Sequence, residues 1–298
     1  MKVLTEASGS LTSSYLIRAI QEAGLKAIAS DISADIAAHE LADGFVVMPK
    51  VSDPALWQLT QEIVQEHAIN IVIPSLDETL LGWAQRRDAM RLENNCHVII
   101  SPPGTIEMFQ DKWLTYNFFN TNSIPCPPTS LKQDFALVKP RFGRGGVGVS
   151  IPEGSVSMEG MISQELLTGT EYTVDVFCDQ SGEPVYIVPR KRMNVRDGKS
   201  TNGIVDMHSG IVDLVRKICT AVQFIGPVNM QCFVSDKGDI SFVEINPRIA
   251  GGMALGFAAT ENWIPLLVSH FIEGKAITPV PVKDGLQMMR YYAEVFVS

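Results

Sequence analysis

A carboxylate, an amide and a guanidinium alternate along a stretch that otherwise has the composition of a buried strand. In FVEINPRIAGG, residues 242–252, these side chains are Glu244, Asn246 and Arg248. Because successive side chains of a strand point to opposite faces, the three share one face. An unpaired buried carboxylate is strongly destabilising, so the pattern indicates either a binding site or a simple ion pair between Glu244 and Arg248.

The preceding segment supplies matching groups if it forms a hairpin with this strand. With the tip of the hairpin at 237–238, Gln231 lies opposite Glu244. The same register places Asn229 opposite Asn246. Facing Cβ atoms are about 5 Å apart, so these oxygen-bearing side chains converge. Oxygen ligands suit Mg²⁺ better than a metal that prefers sulfur or imidazole, so the spacing predicts a magnesium site. A slip of one residue would turn the groups to the wrong face.

A glycine-rich stretch, FALVKPRFGRGGVGVSI at residues 135–151, follows a predicted strand that ends at Lys139, and a second strand is predicted after the glycines. Glycines let backbone N–H groups approach phosphate oxygens, and a lysine supplies compensating charge. Arg141 and Arg144 also favour an anion. The stretch is not a Walker A loop, in which the lysine would follow the glycines and open a helix. A glycine-rich hairpin without a ligand is the alternative.

A second hairpin carries another polar face. If its turn is at 181–182, Glu171 lies opposite Arg192 and Thr173 lies opposite Arg190. The alternative to a ligand site is a solvated edge with surface salt bridges. The other face is apolar and is predicted to enter the core, with Tyr172, Val174, Val176 and Ile187.

The elements that position these groups fall into two regions. Residues 1 to about 105 alternate apolar runs such as KVLT, KAIASD and INIVIPS with amphipathic helical patterns, which predicts a parallel α/β sheet. Gly9 follows the first strand, but ASGSLTSS lacks the glycine spacing of a dinucleotide-binding loop. Asp77 and Glu78 follow a later strand, either at a ligand-binding sheet edge or as a solvated helix N-terminus.

From about residue 109 the pattern changes to that of an α+β region. A helix is predicted over 108–122, followed by a proline-rich turn and then by antiparallel strands. The segment 194–203, NVRDGKSTNG, is predicted to be a loop.

The composition excludes several classes of protein. The 298-residue chain has a net charge of -9, which argues against a nucleic-acid groove or an anionic membrane surface. Its five cysteines include no CxxC pair, so neither a disulfide framework nor a zinc site is expected, and mostly buried thiols are. The first residues lack a signal-peptide core, and the apolar stretch 249–260 is too short to span a bilayer. A cytoplasmic location is expected.

Taken in order, Lys139 with its glycines, QELLTGTEYTVDV, QCFV and FVEINPRIAGG resemble the ATP-grasp superfamily. Within it, the chain is similar to the ATP-binding halves of the carbamoyl phosphate synthase large subunit and to free-standing carboxylate-amine ligases. The resemblance covers nearly the whole chain. It implies an α/β Rossmann-like (pre-ATP-grasp) domain at 1–108 and an α+β ATP-grasp domain at 109–298. The latter would comprise a short lid subdomain at about 109–165 and a base subdomain at about 166–298.

The resemblance also implies roles for individual residues. The expected ATP ligands are Lys112, Lys139, Gly145, Gly146, Gln164, Glu165, Leu166, Leu167, Glu171, Arg190, Arg192 and Phe233. The two lysines would contact phosphates, residues 164–167 and Phe233 would meet adenine, and Glu171 would bind the ribose. The expected magnesium ligands are Gln231, Glu244 and Asn246, and Arg248 would stabilise charge on the transferring phosphoryl group. The expected substrate-binding residues are Arg196, Lys199, Ser200, Gly251 and Gly252.

The implied activity is that of an ADP-forming, Mg²⁺-dependent ligase. It would join a small carboxylic acid, such as an amino acid, to an amine through an acyl phosphate. Two departures from the family pattern favour an alternative, a nucleotide-binding regulator or sensor without turnover. The span 147–164 is shorter than the usual lid, and Gln231 stands where many relatives have glutamate. The sequence predicts neither the identity of the substrates nor the oligomeric state.

Overall fold

The computed structural model describes residues 1–10, 13–196 and 199–297, and the side chains at positions 195, 196, 199 and 200 lie outside that description. The first part of the chain forms a parallel five-stranded sheet. Its strands are β1 (Lys2–Thr5), β2 (Lys26–Asp31), β3 (Gly44–Val47), β4 (Ile71–Ile73) and β5 (His97–Val98). The helices that alternate with them are α1 (Ser13–Glu22), α2 (Ala38–Leu41), α3 (Leu56–Glu66) and α4 (Asp77–Asn94).

The spatial order of this sheet is β3-β2-β1-β4-β5, and all its pairings are parallel. Apolar strands pack between the helices, and Leu4, Val72 and Trp83 are fully buried. The order and the alternation are those of a Rossmann-like sheet, so the predicted α/β region is confirmed. In such sheets the carboxyl ends of the strands face the ligand, which directs attention to the residues after β1 and β4.

Two helices and a small sheet follow. The elements are α5 (Pro103–Gln110), α6 (Lys112–Thr121), β6 (Thr129–Ser130), β7 (Leu137–Pro140) and β8 (Met161–Gln164), with the strands in the order β6-β8-β7. The prediction of one helix over 108–122 is wrong. Asp111 has extended backbone, and its side chain caps α6 by accepting a hydrogen bond from the Trp113 N–H at 2.8 Å. Lys112 is therefore the first residue of α6.

The rest of the chain forms an antiparallel six-stranded sheet in the order β13-β12-β9-β10-β11-β14. Its strands are β9 (Thr170–Cys178), β10 (Pro184–Arg196), β11 (Lys199–Val205), β12 (Gly226–Val234), β13 (Ile240–Asn246) and β14 (Gln287–Met289). The helices are α7 (Ser209–Ala221), α8 (Ala254–Ala259) and α9 (Ile264–Ser269). The predicted α+β region is thereby confirmed.

The two faces of the six-stranded sheet differ in character. One face packs against α7, where Ile211 and Val215 meet Val228 and Met230 in a buried cluster. The four apolar residues predicted for the core all belong to that cluster: Tyr172, Val174, Val176 and Ile187. The opposite face carries the polar side chains of both hairpins. The core is therefore built by one set of alternate residues and the polar site by the other.

Both hairpins turn one residue earlier than predicted. The first turn spans 179–182 and the second spans 235–238, as shown by hydrogen bonds from the last residue's N–H to the first residue's carbonyl, at 3.2 and 2.9 Å. The predicted tips at 181–182 and 237–238 are therefore wrong. Each turn ends on a glycine with positive φ, +93° and +88°, as in a three-residue hairpin loop that closes with a left-handed residue.

A β-bulge in each hairpin offsets this one-residue difference, so the polar residues beyond the bulge keep the predicted pairing. The extra residues are Val185 in β10 and Val243 in β13. As a result Gln231 still lies opposite Glu244, as predicted. Val243, the bulge residue, is only half-buried, whereas the neighbouring Phe242 is fully buried.

Two other predicted local structures differ from those observed. Within 141–160, the glycine-rich stretch is followed by an isolated bridge between Ser150 and Val138 rather than by a strand. Pro152, which has no N–H, cannot extend that ladder. Residues 194–203 were predicted to be a loop, but the described backbone on both sides belongs to β10 and β11, with Met193 paired to Asn202.

The parallel sheet and the six-stranded sheet share a packed interface. Side chains of α1, including Ile17 and Ile20, lie in the same buried cluster as Trp263. The Tyr15 hydroxyl donates to the Ala250 carbonyl at 2.9 Å. The predicted boundary at 108/109 and the subdivision at 165/166 remain predictions.

Two further expectations concern cysteines and membranes. Four of the five cysteines are buried, Cys126 is half-buried, and all are free thiols. Among the described helices, none has the length and apolar character needed to cross a bilayer.

Candidate active site

The predicted magnesium ligands lie together on the polar face of β12 and β13. In the ladder, Asn229 pairs with Asn246 and Gln231 pairs with Glu244. All four side chains line one cavity of about 300 Å³, together with Arg248. Alternation along the two strands is sufficient to bring them together, because each is flanked by residues that point into the core.

The donor set of this group fits a hard divalent cation. One carboxylate and several amide oxygens face each other, and Mg²⁺ takes such ligands while drawing others from phosphates. The described residues contain no group of three or more His, Cys, Asp or Glu side chains that could hold a metal ion. A borderline or soft metal therefore has no comparable site in the described part of the chain.

Lys139 lies at the end of β7, almost completely buried. Its ammonium donates to the Gln164 side-chain oxygen at 2.7 Å. Burial lowers the pKa of Lys139 to about 8, which Glu244 opposes and Lys112 reinforces. Neither Lys139 nor Lys112 is among the residues that line the cavity. Lys112 itself donates to the Gly143 carbonyl at 2.8 Å, so it contacts the glycine-rich stretch.

The cavity is strongly cationic. Five arginines line it, whereas Glu244 is the one acidic residue among the described residues of its wall. The arginines are Arg144, Arg190, Arg192, Arg248 and Arg290. A concave wall with this charge attracts anions, and a triphosphate fits that requirement. Gly145, Gly251 and Gly252, all predicted from the sequence, also line the cavity.

Arg190 is held by a buried carboxylate that the sequence analysis missed. Its Nε donates to Asp175 Oδ2 at 2.8 Å, and its Nη2 donates to Oδ1 at 3.2 Å. Asn229 also donates to Asp175 at 2.9 Å. Asp175 occupies the same alternate positions of β9 as Glu171 and Thr173, so the strand pattern contained the signal for it. The pair fixes the floor of the cavity, because removing one partner of a buried ion pair is strongly destabilising.

Arg192 and Glu171 form a second ion pair on this face, as the predicted register requires. Phe233, from β12, pairs with Glu171 in the ladder and is half-buried. Neither Glu171 nor Phe233 is among the residues that line the cavity. Their expected contacts with the ribose and the adenine remain predictions.

The residues predicted to meet adenine join the two antiparallel sheets. Gln164 is buried and bonded to Lys139, whereas Glu165 and Leu166 are exposed and Leu167 is half-buried. None of them lines the cavity, and neither does Gly146. The side chains of the predicted substrate residues Arg196, Lys199 and Ser200 lie outside the described residues.

Arg248 bonds to a residue of the parallel sheet region. Its Nε and Nη2 donate to the two oxygens of Asp77 at 2.7 and 2.8 Å. Asp77 begins α4, after the carboxyl end of β4. The simple pair of Arg248 with Glu244, left open by the sequence, is therefore not what the structure contains. Asp77 lies at a helix N-terminus, but its side chain is only 20% exposed and is not among the residues that line the cavity. A ligand at this sheet edge remains a prediction.

A fully buried carboxylate holds the loop that carries Asp77. Glu6 accepts hydrogen bonds from the Ser75 N–H at 3.0 Å and the Trp83 indole at 2.6 Å. Further donors are the Thr79 hydroxyl and the Leu76 N–H. Burial raises the pKa of Glu6, and these four donors oppose that shift. No pattern in the sequence indicated a role for Glu6.

Arg290, which follows β14, reaches the cavity from the other side. Its Nη2 donates to the Gly251 carbonyl. Burial and the neighbouring Arg190 lower the pKa of Arg290. Gly252 lies so close to Arg190 that a Cβ there would be 2.1 Å from Arg190 Nη2. The glycines of IAGG thus allow the backbone to pass beside two guanidinium groups.

Two family descriptions match separate parts of the chain. Residues 157–293 match the family described as "ATP-grasp in the biosynthetic pathway with Ter operon". Residues 7–99 match the "PylC-like, N-terminal domain" family. The first match contains the cavity residues of the six-stranded sheet, and the second contains four of the five strands of the parallel sheet, all except β1.

A curated relative and two solved structures are similar to the chain. The carbamoyl phosphate synthase large chain of Methanobrevibacter smithii is 21% identical to this chain. The alignment covers 77% of this chain and 25% of that protein. The N5-carboxyaminoimidazole synthetase of Staphylococcus aureus, complexed with ADP, has a TM-score of 0.74 at 15% identity, covering 97% of this chain and 82% of that one. An L-amino acid ligase from Bacillus licheniformis has a TM-score of 0.69 at 16% identity, covering 94% and 75%.

Residues 157–293 are thus similar to an ATP-grasp family, and the solved structures that resemble the whole chain share its fold. Its Rossmann-like sheet, small three-stranded sheet and six-stranded sheet form the ATP-grasp architecture, as the sequence predicted.

Proposed function

We propose that the protein is an ADP-forming ligase that uses Mg-ATP to join a small carboxylic acid, such as an amino acid, to an amine. The observation that carries this proposal is a single cavity lined by Gln231, Glu244, Asn246 and Arg248. Lys112 contacts the glycine-rich stretch, and the charge of Glu244 acts on Lys139. Such an arrangement is suited to a metal-bound triphosphate.

Positioning and charge neutralisation are the main requirements of phosphoryl transfer, so no covalent protein nucleophile is needed. The two lysines would bind phosphate oxygens from the side of β7 and α6. The guanidinium of Arg248 would face the γ-phosphoryl group as its charge spreads over the equatorial oxygens. Gln231, Glu244 and Asn246 would hold Mg²⁺, which when bound supplies charge neutralisation at the phosphates.

The carboxylic acid would lie where the two main sheets meet. Ala7, Ser10 and Ser75, from the carboxyl edge of the parallel sheet, line the same cavity as Gly251 and Gly252. An oxygen of the substrate carboxylate would attack the γ-phosphorus of ATP, with ADP as the leaving group. The amine would then displace phosphate from the acyl phosphate and form the amide. The cationic wall favours a substrate that enters as an anion.

The test is release of ADP from Mg-ATP in the presence of pooled amino acids, other carboxylic acids and amines. We expect ADP formation that requires both an acid and an amine, with an amide product detectable by mass spectrometry. Tight ATP binding with no substrate-dependent ADP from any pool would contradict the ligase. An inactive Glu244→Ala variant that remains folded serves as the background control.

A nucleotide-binding sensor is the second candidate, because the span 147–164 is shorter than the usual lid and Gln231 carries no charge. It predicts that Mg-ATP raises the thermal midpoint while no acid or amine promotes turnover. An NAD-dependent enzyme would require the cofactor at Gly9, in the loop after β1. It predicts that NAD raises the thermal midpoint and that Mg-ATP does not.

A further inference from the structure

Arg248 has almost all its hydrogen-bond donors occupied by the protein. A guanidinium has five N–H groups. Of these, Nε and one Nη2 hydrogen donate to Asp77 at 2.7 and 2.8 Å. A second Nη2 contact goes to Asn246 at 3.2 Å, and Nη1 donates to the Ile249 carbonyl at 3.2 Å. One Nη1 hydrogen is left without a partner among the described residues.

The Nε and Nη2 hydrogen-bond donors of Arg248 therefore face Asp77. A bidentate arginine-carboxylate pair fixes both the distance and the plane of the guanidinium. The pair is mostly shielded from water, since the side chain of Arg248 is 13% exposed and that of Asp77 is 20% exposed. It joins residues 171 positions apart, one in each of the two main sheet regions.

Asp77 is itself held from two directions. Its loop is fixed by Glu6, which accepts from the Ser75 N–H and the Thr79 hydroxyl at 3.0 and 2.9 Å. Arg144, of the glycine-rich stretch, approaches Asp77 with Nε at 3.7 Å. Asp77 thus contacts the glycine-rich stretch and Arg248 at once, from a helix N-terminus anchored to the core.

We propose that Asp77 is the positioning residue of Arg248. It holds Nε and Nη2 of the guanidinium so that the remaining Nη1 hydrogen faces the cavity. The phosphoryl group would then receive one directed hydrogen bond rather than a bidentate pair. This inference rests on the proposed ligase activity. It also means that the parallel sheet region contributes to phosphoryl transfer although it is expected to hold no phosphate ligand.

The first test is the Asp77→Asn variant of the full chain, assayed for ADP formation. An asparagine amide offers one acceptor oxygen instead of two, so Arg248 becomes free to rotate. Because a displacement of about 1 Å at a reacting centre can lower the rate about a hundredfold, we expect kcat to fall by about ten- to a hundredfold. KM for ATP should change less than about threefold, because the ground-state phosphate contacts remain.

The matched control is Asp88→Asn, on the same helix. Asp88 has a highly exposed side chain and pairs only loosely with the neighbouring Arg87, at 3.5 Å. The change in charge is identical, and wild-type kcat and KM are expected. If Asp88→Asn lowers kcat to a comparable extent, the effect arises from a change of charge on α4 in general. That result would overturn the assignment to Asp77.

The second test separates positioning from a purely structural interdomain contact. In Arg248→Ala, added guanidinium at low concentration should restore part of the activity by occupying the vacated site against Asp77. In Arg248→Ala with Asp77→Asn, restoration should require a much higher guanidinium concentration. Equal restoration in both backgrounds would overturn the proposal, as would wild-type kcat in Asp77→Asn. A wild-type protein that releases no ADP would instead refute the proposed function.

Discussion

Lys139 and Gln164 are joined by a hydrogen bond of 2.7 Å that crosses the small sheet from β7 to β8. The bond places a buried ammonium at the start of the segment that connects the two antiparallel sheets. Burial lowers the pKa of Lys139 to about 8, against an ordinary value near 10.5. The lysine is thus charged at neutral pH but loses its proton within a range that is accessible to experiment.

ATP affinity is expected to weaken as the pH rises above about 8. The proposed site has ATP bind the charged lysine, so once the ligand-free protein loses that proton the apparent Kd should rise by up to about tenfold per pH unit. The free energy of unfolding should change with pH in the opposite, favourable direction. The charged form is disfavoured in the folded state, so between pH 8 and 10.5 the ligand-free protein should gain stability from this group. Calorimetric titration with Mg-ATP across pH 7–9.5 measures the first effect.

The control for this titration is Lys139→Met, which should show weak binding without the pH step. Lys132→Met, at an exposed position, should retain the wild-type profile. A wild-type Kd that stays flat up to pH 9.5 would contradict the assignment of Lys139 to the phosphates.

Glu244→Gln is expected to remove the magnesium dependence of nucleotide binding while the protein stays folded. The substitution keeps the shape of the side chain that faces Gln231 and removes only the charge. Loss of groups that merely support a ligand lowers metal affinity about 10–100-fold, so loss of a direct ligand should lower it at least tenfold. Binding of ATP at varied Mg²⁺ concentrations measures this. Asp239→Asn, exposed at the turn of the same hairpin, is the matched control.

Gly252→Ala is expected to disturb the buried pair of Arg190 and Asp175. The new Cβ would lie 2.1 Å from Arg190 Nη2, so the guanidinium must shift away from its carboxylate. Overpacking of this kind destabilises by about 1–3 kcal/mol. Urea unfolding measures the change, and Gly154→Ala, where an added Cβ meets nothing within 4 Å, should be neutral. A Gly252→Ala protein with wild-type stability and activity would show that Arg190 has room to move.

Glu6→Gln should be destabilising although it removes a buried charge. All four partners of the carboxylate are donors, so the amide NH₂ of glutamine would face at least one N–H. Leaving buried donors unsatisfied costs about 1–3 kcal/mol. The free energy of unfolding is measured in denaturant for Glu6→Gln and for the control Glu22→Gln, at an exposed position on α1. An increase in stability would indicate that relief of desolvation outweighs the lost hydrogen bonds.

Alternation was sufficient to predict the polar face of the six-stranded sheet. Glu244 and Gln231 were paired correctly because one residue in two must enter the core, whatever the turn does. The turns were predicted one residue late, since a left-handed glycine at the end of a four-residue turn is not distinguished by composition from one in a two-residue turn. The error had no consequence at the site, because the bulges at Val185 and Val243 cancel it.

The contacts between distant parts of the chain could not be predicted. Asp77 meets Arg248 only after two sheets have packed together, and no local pattern specifies that packing. Helix α4 was itself missed, because charged residues such as Arg86 and Arg87 interrupt its apolar positions. Arg290 lies in an irregular segment without periodicity. Asp175 is different, since the alternation that selected Glu171 extends to it.

Because each of the two hairpins contains a bulge, the length of its turn can differ without a change in the side chains that face the cavity. Inserting or deleting one residue at a turn would normally invert every side chain along the strand, but gain or loss of a bulge can absorb the change partway. Deleting Val243 alone would have the opposite effect and rotate the outer half of the hairpin relative to Glu244. The length of the turn at the far end of this sheet and the bulge at Val243 are thus coupled, and the two can change together without moving Glu244.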